Sequence, residues 1–239
     1  MAITDSLIAW WTLNEKSGTR IDWHGGNNLT DNNTVLFGGG KRSNAADFEA
    51  DNSECLWIAD NADLSFGNED FTVAAWVKLE VKAGNMAIIS KYDTPDNLRE
   101  YQLYYDGTAD RFRWLVSPAG SGAGAESILA NTLGAPANGI WYFIVAWHDA
   151  TANAIKIQVN NGVADSETAN DGCNDNTSRF VIGASGAAGG FSNYFDGLID
   201  EAAVWGRVLT ADEKTELYNA GAGRAYGYWL AGPQPILVW

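Results

Sequence analysis

Several aromatic residues stand next to polar or charged residues near the ends of apolar runs, and these pairs are the clearest candidates for binding chemistry. Sugar-binding sites stack aromatic rings on the apolar face of a pyranose, and they bind its hydroxyls with carboxylate, amide or guanidinium groups. Large aromatic residues also serve core and loop packing, so that alternative stays open at each position. The candidate ligand-binding residues are Trp23, Tyr92, Asp93, Arg113, Trp114 and Tyr194.

The common catalytic arrangements are not apparent in the sequence. An activated serine needs a strained elbow and a nearby base, and no Gly-Xaa-Ser-Xaa-Gly segment occurs. The two histidines, His24 and His148, are expected to be surface or edge residues. The acidic stretch 165–175 lacks the ligand spacing of an EF-hand loop and is expected to be a solvated loop. Cys55 and Cys173 are expected to be isolated thiols, and no catalytic residue is predicted.

Composition and charge disfavour several classes of protein. The chain has 239 residues, with 15 Lys and Arg against 30 Asp and Glu, and its formal charge of −15 would repel nucleic acid. A hydrophobic content of 46%, with 11 Trp, predicts a globular chain with a large core. The longest apolar run, 140–147, is too short to cross a bilayer. No secretory signal is expected, because the first residues lack a basic segment followed by an apolar one.

Short β-rich runs separated by Gly, Asn and Asp clusters occupy nearly the whole chain and indicate an all-β fold. Asn161-Gly162 predicts a two-residue hairpin turn. One short helix is expected over residues 211–219, where Thr210 and Glu213 have the spacing of a capping box. The Gly-rich stretches that are expected to be loops are 117–125 and 183–190.

Four segments, in order along the chain, carry a resemblance to one family. In the segment 194–221, a Phe and a Gly lead into Ile-Asp-Glu, an aromatic residue, an Arg-Xaa-Leu-Thr turn and a short helix containing Leu-Tyr. This pattern resembles the closing signature of laminin-G-like, concanavalin A-like jelly-roll domains. The other matching segments are 7–18 followed by Asp22, 71–78 leading to 89–91, and 180–183.

The resemblance implies an all-β, concanavalin A-like, two-sheet antiparallel jelly-roll sandwich with one short C-terminal helix. Its segments extend over nearly the whole chain, which implies a single laminin-G-like domain over residues 1–231. Residues 232–239 form an apolar C-terminal tail, which two prolines hold extended. An edge strand or a core plug is expected there, and an arm that binds a partner is the alternative.

The resemblance also implies a metal site. Many domains of this family hold one structural calcium ion, with ligands from an Asp in the loop after the first strand and from the Asp of the Ile-Asp-Glu strand. Calcium prefers several oxygen ligands, and the matching positions here are Asp22, Asn27 and Asp200. The loop reads Asp-Trp-His-Gly-Gly-Asn where the family has Asp-Xaa-Ser-Gly-Asn. The alternative is that Asp22 caps a turn and Asp200 accepts hydrogen bonds from the backbone.

The resemblance also raises the question whether the chain has catalytic carboxylates. Relatives that hydrolyse β-glucans place two acidic residues at alternate positions of one strand, so that both side chains project from the same face. Here Asp200 and Glu201 are adjacent, which on a regular strand directs them to opposite faces. The alternate positions, Leu198 and Ala202, are apolar. The chain is therefore expected not to be an enzyme.

The expected function is a non-catalytic recognition or structural module. Lectins, sugar-binding modules, glycosidases, adhesion domains and virion proteins share this fold, so the fold alone does not choose among them. A chain without a signal and with an apolar tail favours a protein of a virion surface, such as a phage capsid decoration or tail component. Its expected partners are glycan, other virion or cell-surface proteins, and further copies of itself. The alternative is a secreted or cell-surface, extracellular lectin domain, with a glycoside hydrolase or lyase third.

Overall fold

A computed structural model describes residues 2–94, 96–122, 124–187 and 189–228, and it confirms the predicted all-β fold with two antiparallel sheets and one short helix. The predicted tail, 232–239, lies outside the described residues. The strands are β1 (Leu7–Trp11), β2 (Thr30–Asn32), β3 (Leu36–Gly39), β4 (Asn44–Phe48), β5 (Cys55–Ile58), β6 (Phe71–Leu79), β7 (Met86–Asp93), β8 (Leu98–Asp106), β9 (Arg111–Val116), β10 (Glu126–Leu129), β11 (Trp141–Asp149), β12 (Ala154–Val159), β13 (Asp165–Thr168), β14 (Phe180–Ile182), β15 (Ser185–Ala187), β16 (Gly190–Ser192) and β17 (Gly197–Trp205), and the helix is α1 (Ala211–Tyr218).

The first sheet has the strand order β13-β12-β11-β6-β17-β4-β3, and β1 also pairs with β17. One edge of β17 is shared: β4 pairs with its first residues, up to Ile199, and β1 pairs with its last residues, from Ala202. Between them the register against β6 shifts, and Glu201 has a left-handed φ of 48°. This β-bulge lies where β17 exchanges one neighbour for the other, and it sets the direction of two acidic side chains.

The second sheet has the order β10-β9-β8-β7-β14-β5-β2, and the hairpin of β15 and β16 is attached to β7. The prediction of a loop over 183–190 is wrong, because this hairpin begins there. Gly186 pairs with Asp93 of β7, and a Cβ atom at Gly186 would lie 3.2 Å from the Asp93 Cβ. Glycine therefore lets the hairpin lie close against β7.

The main core lies between the two sheets. In β6, Phe71, Val73 and Val77 face this core, while Ala74 and Trp76 face the opposite side of the first sheet. The strand is buried on both faces because a second apolar cluster covers that outer side. The main residues of this cluster are Ile3, Trp10, Trp76, Phe143, Trp147, Trp205, Leu217 and Tyr226.

Helix α1 follows the last strand and packs on this second cluster. The predicted capping box is confirmed, because the Thr210 side chain accepts from the Glu213 N–H and the Glu213 side chain accepts from the Thr210 N–H. The helix ends at Tyr218, one residue earlier than expected, because Asn219 takes a left-handed φ of 49°. Among the described residues, no helix is long and apolar enough to cross a membrane.

The turn after β12 lies one residue before the predicted position. Asn160 and Asn161 have left-handed φ values of 52° and 56°, and the Gly162 N–H donates to the Val159 carbonyl at 3.0 Å. Asparagine tolerates this conformation because its short side chain bonds locally, so glycine is not required. The antiparallel pairing of β12 with β13 that the turn predicted is confirmed. The prediction of a loop over 165–175 is wrong at its start, because pairing with β12 makes Asp165–Thr168 a strand.

Candidate functional site

A cleft of about 440 Å³ opens beside the end of β1, and we call it the Trp23 cleft. The Trp23 side chain is 56% exposed at this cleft. Phe37, at 41%, is another exposed aromatic side chain, and it does not line this cleft. The lining is mostly apolar, with a few polar groups. The lining residues are Thr12, Asn14, Glu15, Trp23, Ala225, Tyr226 and Gly227.

Asp22 fixes the loop that carries Trp23. Its Oδ1 accepts hydrogen bonds from the Trp10 and His24 N–H groups, each at 2.9 Å. Its Oδ2 accepts from the Gly25 N–H at 3.0 Å and from the Asn27 N–H at 2.9 Å. Four backbone donors thus converge on one buried carboxylate, and charge-assisted bonds of this kind are the stronger ones. The loop winds around Asp22 and leaves the Trp23 ring outside.

The other side of the cleft is formed near the end of the described chain. The Tyr226 ring packs on Trp10 with ring centroids 5.7 Å apart, and its hydroxyl lies 3.2 Å from His24 Nδ1. Glu15 Oε1 accepts from the Ile21 N–H at 2.9 Å, whereas Glu15 Oε2 is buried and has no hydrogen-bond partner among the described residues. An unpartnered buried acceptor is costly, so a ligand hydroxyl that donates to Glu15 would be favoured.

The three residues predicted to hold calcium do not fit that role as a set. Both Asp22 oxygens already accept from protein donors, and Asn27 Nδ2 donates to Asp22 Oδ2 at 3.2 Å. The Asn27 side-chain oxygen accepts from the Asn61 amide. Of the three, only Asp200 has a buried oxygen, Oδ1, that no described donor reaches. A calcium ion held by Asp22, Asn27 and Asp200 stays a prediction.

Asp200 and Glu201 lie on the same face of β17, so the prediction that they point to opposite faces is wrong. Asp200 is opposite Trp76 in the register with β6, and Glu201 Oε2 accepts from Trp10 Nε1 at 2.5 Å. Both tryptophans belong to the outer cluster. The physical reason is the bulge, since an extra residue interrupts the alternation of a strand. The sequence has no glycine there to signal it.

Burial governs the chemistry of this carboxylate pair. Asp200 is 0% exposed and Glu201 is 3% exposed. Burial raises the pKa of Asp200 to about 7, although hydrogen bonds from the Arg42 and Lys41 backbone act to lower it. Burial, and then the neighbouring Asp200 charge, raise the pKa of Glu201 to about 8. A glycosidase needs both carboxyl groups in contact with the sugar, and this burial keeps them from it.

Of the predicted ligand residues, Tyr92 and Arg113 lie near each other on β7 and β9, and Asp93 is the last residue of β7. None of the three lines the Trp23 cleft. Tyr92 is mostly buried. Burial raises the pKa of its hydroxyl, although the charges of Arg99 and Arg113 act to lower it. Arg113 donates to Asp106 Oδ2 at 2.8 Å.

Tyr194 and Trp114 have different surroundings. Tyr194 packs, half-buried, on a small cluster that contains Cys55 and Val181. Trp114 does not belong to a ligand surface: it is 0% exposed in the main core, because it faces the opposite way from its neighbour Arg113. The prediction that Trp114 contacts a ligand is therefore wrong.

His148 was expected at a surface or edge, and the structure buries it completely. Its Nδ1 lies 2.9 Å from the Glu69 carbonyl oxygen, and its ring lies 6.1 Å from that of Phe71. His24 is exposed, as predicted. The two cysteines are free and buried, which confirms that they are isolated thiols.

The comparisons with known proteins agree with this architecture. A sequence profile of the concanavalin A-like lectin/glucanases superfamily matches residues 50–213. Domain 4 of AbnA, a GH43 extracellular arabinanase from Geobacillus stearothermophilus, was solved in complex with arabinotriose. The alignment gives 18% identity and a TM-score of 0.64 over 92% of this chain and 98% of that domain.

Two toxin binding domains have the same fold. The binding domain of Paraclostridial Mosquitocidal Protein 1 has 14% identity and a TM-score of 0.71, over 92% of this chain and 53% of that chain. The binding domain of botulinum neurotoxin DC, in complex with SialylT, has 14% identity and a TM-score of 0.67, over 92% and 52%. This chain thus spans about half of each toxin domain. No curated protein sequence matches it. The profile match covers more than half of the chain, and the chain belongs to the concanavalin A-like lectin/glucanase superfamily.

Proposed function

We propose that this chain is a non-catalytic carbohydrate-recognition module that binds a sugar in the Trp23 cleft. The observation that carries the proposal is the 56% exposed Trp23 ring beside a cleft of about 440 Å³. A concave, mostly apolar site with an aromatic ring and a few polar groups has the form of a small-ligand site. Four backbone N–H groups donate to Asp22, and these bonds hold the loop that carries the Trp23 ring in place.

The polar groups of the cleft suit the hydroxyls of a sugar. Glu15 Oε2 supplies an acceptor without a described partner, and Thr12 and Asn14 line the same cleft. Asn14 is itself positioned, because its Oδ1 accepts from the Asn44 N–H at 2.9 Å. A stacked ring with a few placed polar groups is the general form of a small-ligand site.

The relatives support a saccharide as the ligand. The arabinanase domain was solved with arabinotriose, and the botulinum neurotoxin domain with SialylT. Both are ligands of those proteins, and the likeness to this chain is one of fold. What supports the choice of a saccharide here is therefore the Trp23 cleft itself together with the use of this fold by saccharide-binding domains.

A non-catalytic role is supported by the state of the acidic and basic residues. Asp200 and Glu201 are buried in the outer cluster, and His148 is buried in the core. His24, the exposed histidine, bonds to the Tyr226 hydroxyl and to no carboxylate among the described residues. General acid–base catalysis needs a positioned pair that reaches the substrate.

The proposal also covers the location of the protein and its macromolecular partners. A virion surface, with glycan, virion or cell-surface proteins and further copies of the chain as partners, stays a prediction, and so does the extracellular alternative. Sugar binding in the Trp23 cleft is compatible with either location, and it is the part of the proposal that a single variant tests.

The test is a glycan-array screen of the purified chain followed by calorimetry with the best ligand. We expect Trp23→Ala to weaken binding at least about tenfold, or about 1.4 kcal/mol, because the stacking ring is lost. Phe37→Ala is the matched control, since Phe37 is also exposed, at 41%, and does not line the cleft. If the array shows no ligand, or if both variants bind as the unmodified chain does, the proposal fails.

A further inference from the structure

Two arginines on the outer side of the second sheet make no ion pair among the described residues, although the chain has a formal charge of −15. They are Arg99, at the start of β8, and Arg179, just before β14. The neighbouring Arg113 differs, because Asp106 neutralises it at 2.8 Å. Guanidinium groups without an ion-pair partner can attract an anionic ligand even where the protein as a whole is acidic.

Aromatic rings hold the Arg179 guanidinium in place. The group lies 5.3 Å from the centroid of Trp57 and 5.3 Å from that of Phe191, and these two rings are 6.0 Å apart. Among the described residues it donates one weak hydrogen bond, from Nη1 to the Gly190 carbonyl at 3.3 Å. The group is thus oriented by cation–π contact while most of its donors stay available.

Arg99 is fixed in a similar way beside Tyr92. Its guanidinium lies 5.6 Å from the Tyr92 ring centroid, and its nitrogens donate to Thr94 O at 3.0 Å and to Asn97 Oδ1 at 2.9 Å. No carboxylate lies within ion-pair distance of Arg99 among the described residues. Arg99 therefore contributes a fixed positive charge to this side of the sheet.

The Asp93 carboxyl lies near both arginines. Burial raises the pKa of its carboxyl, and the charges of Arg179 and Arg99 both oppose this rise, so the carboxyl lies within reach of both charges. Its Oδ1 is buried and has no hydrogen-bond partner among the described residues. An acceptor of this kind is suited to a ligand hydroxyl.

We propose that this surface binds a saccharide that carries a carboxylate, such as a uronate, with Arg179 as the carboxylate receptor. Its residues are Trp57, Tyr92, Asp93, Arg99, Arg179 and Phe191, and we call it the Arg179 surface. The planar guanidinium pairs with the carboxylate, Asp93 accepts from a ring hydroxyl, and the aromatic edges contact the apolar face of the sugar. None of these residues lines the Trp23 cleft, so this site is separate from the one proposed above.

Charge favours an acidic saccharide over a neutral one. A carboxylate can accept two parallel bonds from the donors that Arg179 has free, which a neutral hydroxyl cannot do. A neutral sugar would satisfy Asp93 and leave the free donors of Arg179 without a charged acceptor. A polyanion such as nucleic acid would meet repulsion from the rest of the chain, whose formal charge is −15.

The test compares trigalacturonate with a neutral galactose trisaccharide by calorimetry and by amide NMR of the folded chain. We expect the uronate alone to bind, its affinity to fall with added salt, and the amide shifts to centre on the Arg179 surface. Arg179→Gln is expected to weaken this binding about tenfold. Lys16→Gln is the matched control, because it also removes a cation that lies over a ring, 5.3 Å from Phe37.

The results distinguish saccharide binding at the Arg179 surface from saccharide binding in the Trp23 cleft. Unchanged uronate binding in Trp23→Ala supports the Arg179 surface, even if the cleft proves to bind no sugar. The proposal is overturned if the neutral trisaccharide binds equally well, if Arg179→Gln and Lys16→Gln have the same affinity, or if Trp23→Ala abolishes uronate binding. It is also overturned if sulfate alone produces the same amide shifts at the same concentration. Unchanged amide spectra of both charge variants establish that they are folded.

Discussion

Asp200 and Glu201 place two carboxyl groups side by side, and no described cation makes an ion pair with either. Their raised pKa values, about 7 and about 8, mean that the folded chain keeps both protonated at a pH where the unfolded chain has ionised them. Their contribution to stability is therefore complete below the ordinary carboxyl range and is lost as pH rises through about 7 and about 8.

We therefore expect the free energy of unfolding to fall between pH 5 and pH 8, with each unit of pKa difference worth about 1.4 kcal/mol. The double variant Asp200→Asn, Glu201→Gln should show a shallower decline, because amides do not ionise. Urea unfolding at several pH values measures this slope, with Asp51→Asn as a control at an exposed acid. An equal slope in the double variant and the unmodified chain would contradict the raised pKa values.

For individual residues, the sequence predicted the surroundings of some side chains and not of others. Arg113 and Trp114 were proposed together, yet they face opposite sides of β9, so only one can meet a ligand. The strand alternation was available from the sequence, but which face would be the core was not. Arg179 was missed because its partners, Trp57 and Phe191, come from distant parts of the chain.

The loop after β1 is the element on which the Trp23 cleft depends. Asp22→Ala leaves four backbone donors without their acceptor, so we expect a loss of about 3 kcal/mol in the free energy of unfolding. Asp22→Asn keeps one oxygen acceptor and should lose less. Urea unfolding in calcium and in EDTA measures both effects.

The same measurement addresses the predicted calcium ion. Because the Asp22 oxygens are already bonded to the protein, we expect the loss in Asp22→Ala to be equal in calcium and in EDTA. If calcium stabilised the unmodified chain and not this variant, the loop would have to rearrange to bind the ion. That result would support the ligand set inferred from the family resemblance.

Elements were predicted well where local sequence determines them. The capping box of α1 follows from Thr210 and Glu213 alone, and the apolar strands follow from short apolar runs. The polar strands β2 and β13 do not, because only pairing with a neighbouring strand makes them extended. The bulge in β17 was not predictable in this way, because it lies where β4 gives way to β1 along one edge. That exchange is a property of the assembled sheet. The error over the faces of Asp200 and Glu201 came from it.

For the whole molecule, the family was evident from ordered segments, while the Trp23 cleft was not. Trp23 itself was a candidate, but its neighbours in the cleft come from the stretch after β1 and from Ala225–Gly227 near the end of the described chain. No spacing in the sequence links these segments. The cleft exists because β1 pairs with β17 and brings the two ends of the domain together.

This pairing also predicts how the chain unfolds. The main core takes residues from Ala9 to Val204 and from both sheets, and β17 pairs with β1, β4 and β6. Neither half of the sequence can keep this core alone, so we expect one cooperative transition and equal calorimetric and van't Hoff enthalpies. Near-ultraviolet and far-ultraviolet circular dichroism should give the same midpoint, since tryptophan packing and strand pairing are lost together. Two separate transitions would show that residues 1–231 contain more than the single domain inferred from the sequence.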